Sequence, residues 1–465
     1  MVRKFYFYII FLLLFVASPL RIFVSAADGK SWWNTESLST EGTEFYVTFM
    51  KNLGKEIKDQ DFFISLYATA HEEAKVTVTG IFTPLNGGNP YPWSRTFIVP
   101  ADGMNNIIIP HEVGYMEIGG KTSNDVQKKG IMVTSDKPIA LYSSNSNINS
   151  YDATTIYPVK ALYKEYVMQT YSQDKQATEF ALVSAKDNNH ITIKIQETFY
   201  NIFNGTVDSI IHKIIEVPLN RCESYLYRTE KGNVSLTGTT ICATEPIAVF
   251  QGGQMAAIPI TTSETSHIYT QTISTDAWGR VHVITQTKNQ PQNVIRITAA
   301  EPNTKIYRNN ETNPIAVLQP LETYEELIDW DTNPSGAVVY TSSRAVECYL
   351  YETGKNISNN VFNAPTFTDI TPLEHSIHRT LFATFKYRYD ATNELSLSNY
   401  VNVVIPVSGI GSITLDGEVI RDAEFRKIPT KINGIEYAYA QLKVSEGAHV
   451  LYSEKAPFVA HVYGM

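Results

Sequence analysis

One phrase of the sequence occurs four times, and it constrains the fold more than any other feature. Each copy begins with a glycine, continues as a β-rich run and bends at a polar segment near a proline or alanine. The copies begin at Gly130, Gly238, Gly336 and Gly447. The bends lie 108, 99 and 112 residues apart, at Pro138, Pro246, Ala345 and Pro457. A period of about 100 residues is too long for a solenoid repeat and fits small β domains in series.

Strand-like runs recur in the same order before each phrase. Opening strands are expected at 44–49, 165–170, 280–285 and 380–385. Second strands follow at 62–69, 180–185, 294–299 and 401–407, and third strands at 75–78, 191–194, 305–307 and 412–415. The 28 Tyr, 21 Phe, 25 Gly and 21 Pro also favour strands joined by turns. The sequence therefore predicts an all-β fold of four related antiparallel β-sandwich-like modules in tandem.

The N-terminus has the features of a secretory signal. Arg3 and Lys4 precede an apolar run at 5–17, and residues 24–26 are small enough for signal peptidase. An uncleaved anchor is the alternative, but Arg21 interrupts the run before it could span a bilayer. We therefore expect a secreted chain with no membrane span after cleavage. The expected limits are a signal peptide at 1–26 and modules at 27–152, 153–258, 259–356 and 357–465.

The balance of charge argues against one class of partner. The chain has 38 basic and 47 acidic residues, which gives a formal net charge of −9. Such a chain has no basic field to attract nucleic acid. Nucleic acid is therefore not expected as a partner.

Several phrases together resemble the IgGFc-binding protein N-terminal domain family. They are GTEFYVTFMKN at 42–52, SDKPI at 135–139, the joint from YDAT at 151–154 to Tyr163, and PFVAHVYG at 457–464. In that family the domain stands at the start of secreted, mucin-associated animal proteins, related domains occur in bacterial surface proteins, and the best-known member binds immunoglobulin Fc. The resemblance implies a non-enzymatic binding or adhesion protein at a mucosal or cell surface, with immunoglobulin Fc or mucin as partner. It brings no motif that would identify the binding residues.

The three cysteines allow one candidate disulfide. Cys222 and Cys242 lie at equal distances from a turn around Gly232, so a hairpin there would place them opposite each other. A bridge is compatible with an exported protein. The alternative is that both are small buried side chains. Cys348 is expected to be a core residue.

Four sequons are candidate glycosylation sites if the source is eukaryotic. All are expected in loops or turns, at Asn204, Asn233, Asn310 and Asn356.

No catalytic, cofactor or metal site is predicted. His375 and His378 have the spacing of a metal pair, but they lie in a proline-bearing linker without a clear third ligand. Asp152, Asp329 and Asp331 are expected in loops, where spacing does not identify an acid pair. A carbohydrate-binding or carbohydrate-active β-sandwich protein remains the alternative function.

The aromatic residues bear on that alternative. Trp278 and Trp330 lie next to strands, which favours core or inter-module packing over ligand stacking. Tyr91 and Trp93 follow a proline-containing loop that could present both to a partner, and an ordinary surface loop is the other interpretation.

Overall fold

The structure is a computed structural model, and almost all of its regular structure is antiparallel β. It describes residues 39–52, 62–84, 88–116, 125–147, 150–171, 176–201, 206–230, 232–259, 262, 265–353, 365–388 and 393–464. The predicted signal peptide at 1–26 lies outside these ranges. The predicted all-β, antiparallel class is confirmed.

The strands follow one another with few helical turns between them. The first part contains β1 (Glu41–Val47), β2 (Phe62–Ala70), β3 (Ala74–Phe82), β4 (Tyr91–Val99), β5 (Gly103–Ile109), α1 (His111–Gly114), β6 (Val126–Gln127), β7 (Ile131–Asn147) and β8 (Ser150–Ile156). The second contains β9 (Glu165–Val167), β10 (Thr178–Ser184), β11 (Asn189–Tyr200), β12 (Val207–Leu219), β13 (Ser224–Arg228), β14 (Val234–Ser235), β15 (Thr240–Ala243), β16 (Ile247–Ala257) and β17 (Thr265–Gln271).

The second half of the chain continues in the same manner. Its third part contains β18 (Gly279–Thr285), β19 (Gln292–Ala299), β20 (Thr304–Arg308), β21 (Ala316–Leu318), β22 (Thr323–Asp329), β23 (Ala337–Glu352) and β24 (Thr366–Asp369). The fourth contains β25 (Arg379–Thr384), β26 (Tyr387–Arg388), β27 (Glu394–Leu395), β28 (Asn399–Pro406), β29 (Ile413–Leu415), β30 (Glu418–Val419), β31 (Phe425–Lys427), β32 (Tyr437–Val444), β33 (Gly447–Ser453) and β34 (Val459–Gly464). Short 3-10 turns occur at Val159–Ala161, Thr275–Ala277, Leu373–His375, Val407–Gly409 and Asp422–Glu424.

The same strand pairing occurs four times. The first half of each repeated phrase pairs with the opening and third strands of its part: β7 with β1 and β3, β15 with β9 and β11, β23 with β18 and β20, and β33 with β25 and β29. The second half pairs with the second strand: β7 with β2, β16 with β10, β23 with β19, and β34 with β28. Each phrase therefore carries the chain from one group of strands to the other.

The bend in each phrase is the crossing point. In β7 the pairing skips residues 136–138, which are exposed and end at Pro138. Proline lacks an N–H group, so it is tolerated where no ladder hydrogen bond is required. In the second and fourth copies the strand breaks completely, between β15 and β16 and between β33 and β34.

The two groups of strands in each part enclose a common core. In the first part, Phe45 and Val133 from one group and Leu66 and Leu141 from the other belong to one buried cluster. Comparable clusters occupy the second, third and fourth parts. Each buried side chain of this kind contributes about 1.5–3 kcal/mol. Cys348 lies in the third cluster, as predicted for a core residue.

Three additional strands lie outside the predicted opening, second and third strands and outside the repeated phrases. β8, β17 and β24, named here the return strands, fold back on β7, β16 and β23. The expected module boundary at 152/153 falls inside β8. In addition, β6 pairs with β13 and so extends a sheet of the second part. The module limits themselves remain predictions.

Candidate functional site

The return strands bring three parts of the chain together. The Gln271 main-chain N–H donates to Thr154 Oγ1 at 3.2 Å, which joins β17 to β8. The Tyr157 hydroxyl, just after β8, donates to Asp369 Oδ2 on β24 at 3.2 Å. Neither contact lies within a single core, so both fix the parts relative to one another.

A buried acid–histidine pair reinforces this junction. His267 Nδ1 on β17 lies 2.6 Å from Asp152 Oδ2 on β8. The His267 side chain has no exposed surface and that of Asp152 is 5% exposed. Burial raises the pKa of Asp152, and the hydrogen bond and charge of His267 oppose that shift. The pair adds a buried polar contact to the hydrogen bonds of this junction.

A cavity of about 380 Å³ lies beside the junction. The return strands form part of its wall, together with residues of β7, β18 and β23 and of β25, β28 and β34 in the fourth part. Aromatic side chains contribute much of the lining, including Tyr151, Phe367, Phe385 and Tyr463. This size falls within the range of small-ligand pockets.

The ionisable groups of the lining are acids and histidines. Burial raises the pKa of Glu352 to about 7 and that of Asp369 to about 6, although hydrogen bonds to each carboxyl oppose the shift. Burial lowers the pKa of both His375 and His461 to about 4, so these imidazoles are neutral at pH 7. Among the described lining residues there is no lysine or arginine. The cavity therefore offers hydrogen-bond acceptors, and it carries negative charge only where the pH exceeds the raised pKa values of these carboxyls.

A second notable surface is formed by β12, the outermost strand in the order β12-β11-β15-β9. Its apolar side chains at Val207, Ile210, Ile211 and Ile214 are exposed, and Ile214 retains 69% of its accessible surface. Successive strand residues face opposite sides, so Ile210 and Ile214 share one face of β12 and Ile211 lies on the other. Single exposed apolar residues are common, but this group on one edge strand is a candidate interaction surface.

Among the described strands, none pairs with the outer edge of β12. His190 on β11 lies opposite Pro218 and directs its main-chain groups to Thr244, on the far side from β12. In an antiparallel pair, successive residues direct their main-chain N–H and C=O groups alternately toward the partner strand and away from it. Pro218 and the even-numbered residues from 210 to 216 therefore direct their main-chain groups outward, away from β11. Such a row can pair with an added strand as far as Pro218, which has no N–H group.

The predicted aromatic loop does not present both of its rings. Tyr91 is exposed and stacks on Phe82 with 4.9 Å between ring centroids. Trp93 is buried within β4, with the Arg95 guanidinium 5.5 Å from its ring. Residues 85–87 of the loop lie outside the described ranges. Trp278 and Trp330 are buried, in agreement with the packing interpretation.

The candidate polar residues do not form one site. Asp152 lies in a strand and not in the expected loop, and both Asp152 and His375 line the cavity. Asp329 instead accepts a hydrogen bond from Gln292, and His378 Nδ1 lies 2.8 Å from the Ser453 carbonyl oxygen. Within the described ranges, no three His, Cys, Asp or Glu side chains are grouped to hold a metal ion.

The cavity carboxyls Glu352 and Asp369 were missed by sequence reasoning. Each lies at the end of a strand, β23 or β24, and neither belongs to a recognisable motif. Their only sequence signal is an acid at the end of a strand-like segment, which does not by itself indicate a site.

Two of the four sequons can be placed. Asn310 is exposed in a turn between β20 and β21. Asn233 is partly buried, and its side-chain amide donates to the Tyr200 carbonyl oxygen at 2.5 Å. Asn204 and Asn356 lie outside the described ranges. Asn310 is thus the more accessible acceptor of the two.

The predicted hairpin between Cys222 and Cys242 is wrong. Cys222 precedes β13, which pairs with β10, whereas Cys242 lies in β15, which pairs with β11 in a different sheet. The intervening chain therefore joins two sheets and does not fold on itself. All three cysteines are free in the structure, so the bridge that was inferred from the hairpin is not formed.

Thiol labelling should report this arrangement. Cys242 is exposed, Cys222 is partly buried and Cys348 is buried. Burial raises the pKa of Cys222 to about 11, which lowers its thiolate fraction. With maleimide followed by peptide mapping, we expect labelling in the order Cys242, Cys222 and, only after unfolding, Cys348. A Cys222–Cys242 linked peptide under non-reducing conditions would contradict this result.

Comparison with known proteins identifies the family. A model of the family described as IgGFc binding protein matches residues 152–464, which is more than half of the chain. The chain belongs to the IgGFc binding protein family. The matched residues include all three return strands apart from the first residues of β8, together with the whole of β12. The resemblance seen in the sequence phrases is confirmed.

One relative shows how similar the sequence is to that of a known protein and how much of each chain the similarity covers. The human protein named IgGFc-binding protein is 22% identical to this family member over 405 residues, which cover 85% of this chain and 7% of the human protein. This chain thus spans a small fraction of that relative's length. Over the described residues, no helix combines the length and apolarity needed to cross a membrane.

Proposed function

We propose that this chain is an exported, non-enzymatic binding protein, and that a protein or glycoprotein ligand binds along the free edge of β12. The observation that carries this proposal is the group of exposed apolar side chains on a strand whose outer main-chain groups pair with no described strand. An extended segment of a ligand can add to such an edge through main-chain hydrogen bonds, while its side chains contact the isoleucines.

Family membership supports the choice of ligand class. The human relative is named for binding immunoglobulin Fc. Immunoglobulin Fc and mucin are therefore the first ligands to test, at a mucosal or cell surface. Because loops and edges diverge faster than cores, the shared fold supports a binding role more strongly than it supports one partner.

The decisive experiment compares binding by the mature chain, residues 27–465, and by edge variants. Ile210→Lys and Ile214→Lys each add a charge to an exposed position, so folding should be preserved while strand addition is opposed. We expect each variant to weaken Fc or mucin binding at least about tenfold, measured by biolayer interferometry. Val419→Lys on β30 is the matched control, because Val419 is also exposed and lies at a sheet edge.

Each arm has an outcome that contradicts the proposal. Saturable binding that both lysine variants retain would place the ligand elsewhere. Absence of binding to Fc and to mucin would remove both ligands. The carbohydrate alternative predicts binding to purified glycans on an array, with the aromatic cavity as its site, and turnover of glycosidase substrates would refute the non-enzymatic assignment.

A further inference from the structure

The even-numbered residues of β12 form one row of side chains along its outer edge. Ile210, His212, Ile214 and Glu216 are all exposed, and they lie on the same face of the sheet because successive strand residues face opposite sides. Their main-chain groups point outward, away from β11. Opposed side chains of paired strands lie about 4.5–5.5 Å apart, so a strand added here would place its own side chains directly beside this row.

Acidic side chains stand beyond both isoleucines of the row. Glu216 is at one end, and its Oε2 accepts a hydrogen bond from Thr192 Oγ1 on β11 at 2.9 Å. Asp208 is at the other end, where the pairing of β11 with β12 shifts register, and its side chain is exposed. A strand bound along this edge therefore meets apolar surface in the middle and negative charge at both ends.

Two lysines lie near this row, and neither adjoins the outer edge in the same way. Lys213 is on the opposite face of β12, where its Nζ lies 2.9 Å from Glu197 Oε2. Lys194 is on β11 opposite Ile214, so it lies one strand further from an added strand. Interactions between exposed charges weaken with distance and are screened by salt. The acids of β12 itself therefore dominate the charge that a bound strand would meet.

This charge pattern also bears on whether a second copy of the chain could be the added strand. If two β12 strands paired antiparallel with Ile210 opposite Ile214, Asp208 of each copy would stand opposite Glu216 of the other. Like charges directly opposite each other are destabilising. The register that aligns the isoleucines is therefore unfavourable for two identical strands.

We propose that the ligand strand bound along β12 has, at every second residue, a basic, an apolar, a small polar, an apolar and a basic side chain. This inference rests on the proposed role of β12 and specifies its partner. The apolar residues pack on Ile210 and Ile214, the small polar residue lies beside His212, and the basic residues pair with Glu216 and Asp208. The order is the same in both directions, so it fits a parallel or an antiparallel strand.

The test uses capped, fluorophore-labelled peptides of nine residues that differ only in the placement of charge. The matching peptide is Lys-Thr-Val-Thr-Ser-Thr-Val-Thr-Lys. In the first control glutamates replace both lysines, and in the second the lysines and valines exchange places, which keeps composition and net charge. By fluorescence anisotropy with the mature chain, we expect the matching peptide to bind at least about tenfold more tightly than either control. Equal affinity for the matching and exchanged peptides, or no saturable binding at millimolar concentration, would overturn the proposal.

Charge reversal on β12 assigns the preference to its two acids. The double variant Asp208→Lys, Glu216→Lys should bind the glutamate peptide more tightly than the matching peptide. Loss of structure would weaken both peptides and would not reverse their order. Glu418→Lys on β30, another exposed acid on an edge strand, is the control and should keep the original order. A folded double variant that still prefers the matching peptide would contradict the assignment. If the double variant does not fold, Glu216→Lys decides, and it should lose most of the preference.

The outcomes separate this inference from the proposed function. If Ile210→Lys and Ile214→Lys abolish Fc or mucin binding but the peptides bind equally, β12 is the binding edge and the inferred ligand pattern is refuted. If the matching peptide is selected but neither Fc nor mucin binds, the pattern is supported and those two ligands are removed. A dimer of the mature chain that Ile214→Lys dissociates in sedimentation equilibrium would assign the edge to a second copy and overturn the inference.

Discussion

Replacing Gly252 with alanine is expected to separate β17 from β16 and to destabilise the junction of the return strands. A Cβ atom at Gly252 would lie 1.9 Å from the Ile268 carbonyl oxygen and 3.2 Å from the Tyr269 Cα. Both atoms belong to the main chain of the neighbouring strand, so no side-chain rotation can relieve the overlap. Overpacking of this kind costs about 1–3 kcal/mol of stability. For a clash with the main chain, we expect a cost at or above the upper end of this range.

The displacement should extend beyond the strand pair. The Tyr269 hydroxyl donates to the Thr48 carbonyl oxygen at 3.1 Å, and its ring stacks on Phe250. Moving β17 therefore weakens its contact with the first part of the chain. We expect a lower unfolding temperature and faster hydrogen exchange of the β17 amides in the Gly252→Ala variant.

Gly434 provides the control for this prediction. It has a φ of +82°, and a Cβ atom there would meet no atom within 4 Å. Gly434→Ala therefore carries only the strain of the left-handed backbone, about 1 kcal/mol. If the two variants unfold at the same temperature, the close approach of β17 to Gly252 is refuted.

Replacing His267 with alanine should produce the second large effect. The variant leaves the Asp152 carboxyl buried without its partner at the junction. An unsatisfied buried polar group costs about 1–3 kcal/mol, and more when it is charged. The raised pKa of Asp152 indicates that the variant would protonate this carboxyl more readily, so its loss of stability should be smaller at acidic pH than at neutral pH.

His449 is a closely matched control. Its Nδ1 lies 2.7 Å from Asp416 Oδ2, and its own side chain is buried like that of His267. Asp416, however, is 47% exposed and also accepts a hydrogen bond from the Val450 main-chain N–H. His449→Ala thus removes similar packing but leaves a hydrated carboxylate. Urea denaturation should show His267→Ala losing about 2 kcal/mol more than His449→Ala, and equal losses would show that the buried pair adds no stability.

The local pattern of residues was sufficient to predict the strand class and the repeated bend. Each phrase combines a β-rich run with a polar bend. Proline or alanine at the bend fits a position where the hydrogen bonding between neighbouring strands is interrupted. Opening, second and third strands begin within three residues of their predicted starts, although β3 and β11 extend four and six residues beyond their predicted ends. These features depend on neighbouring residues, so they can be recognised without knowing the partner strands.

The pairing of distant segments was decided only by the tertiary structure. Cys222 and Cys242 are close in sequence and symmetric about a turn, yet the strands beside them pair in different sheets. The return strands were not predicted, because these short strands form only by pairing with β7, β16 and β23.

The sequence by itself determined that this protein is a fourfold antiparallel β structure, because alternation and turn chemistry are local. It did not determine the cavity, the His267–Asp152 contact or the free edge of β12. The cavity groups come from strands more than 200 residues apart, such as β8 and β24, and their pKa shifts arise from burial between separate parts of the chain. Edge position, likewise, depends on which strand lacks a second neighbour, and only the assembled sheets fix that.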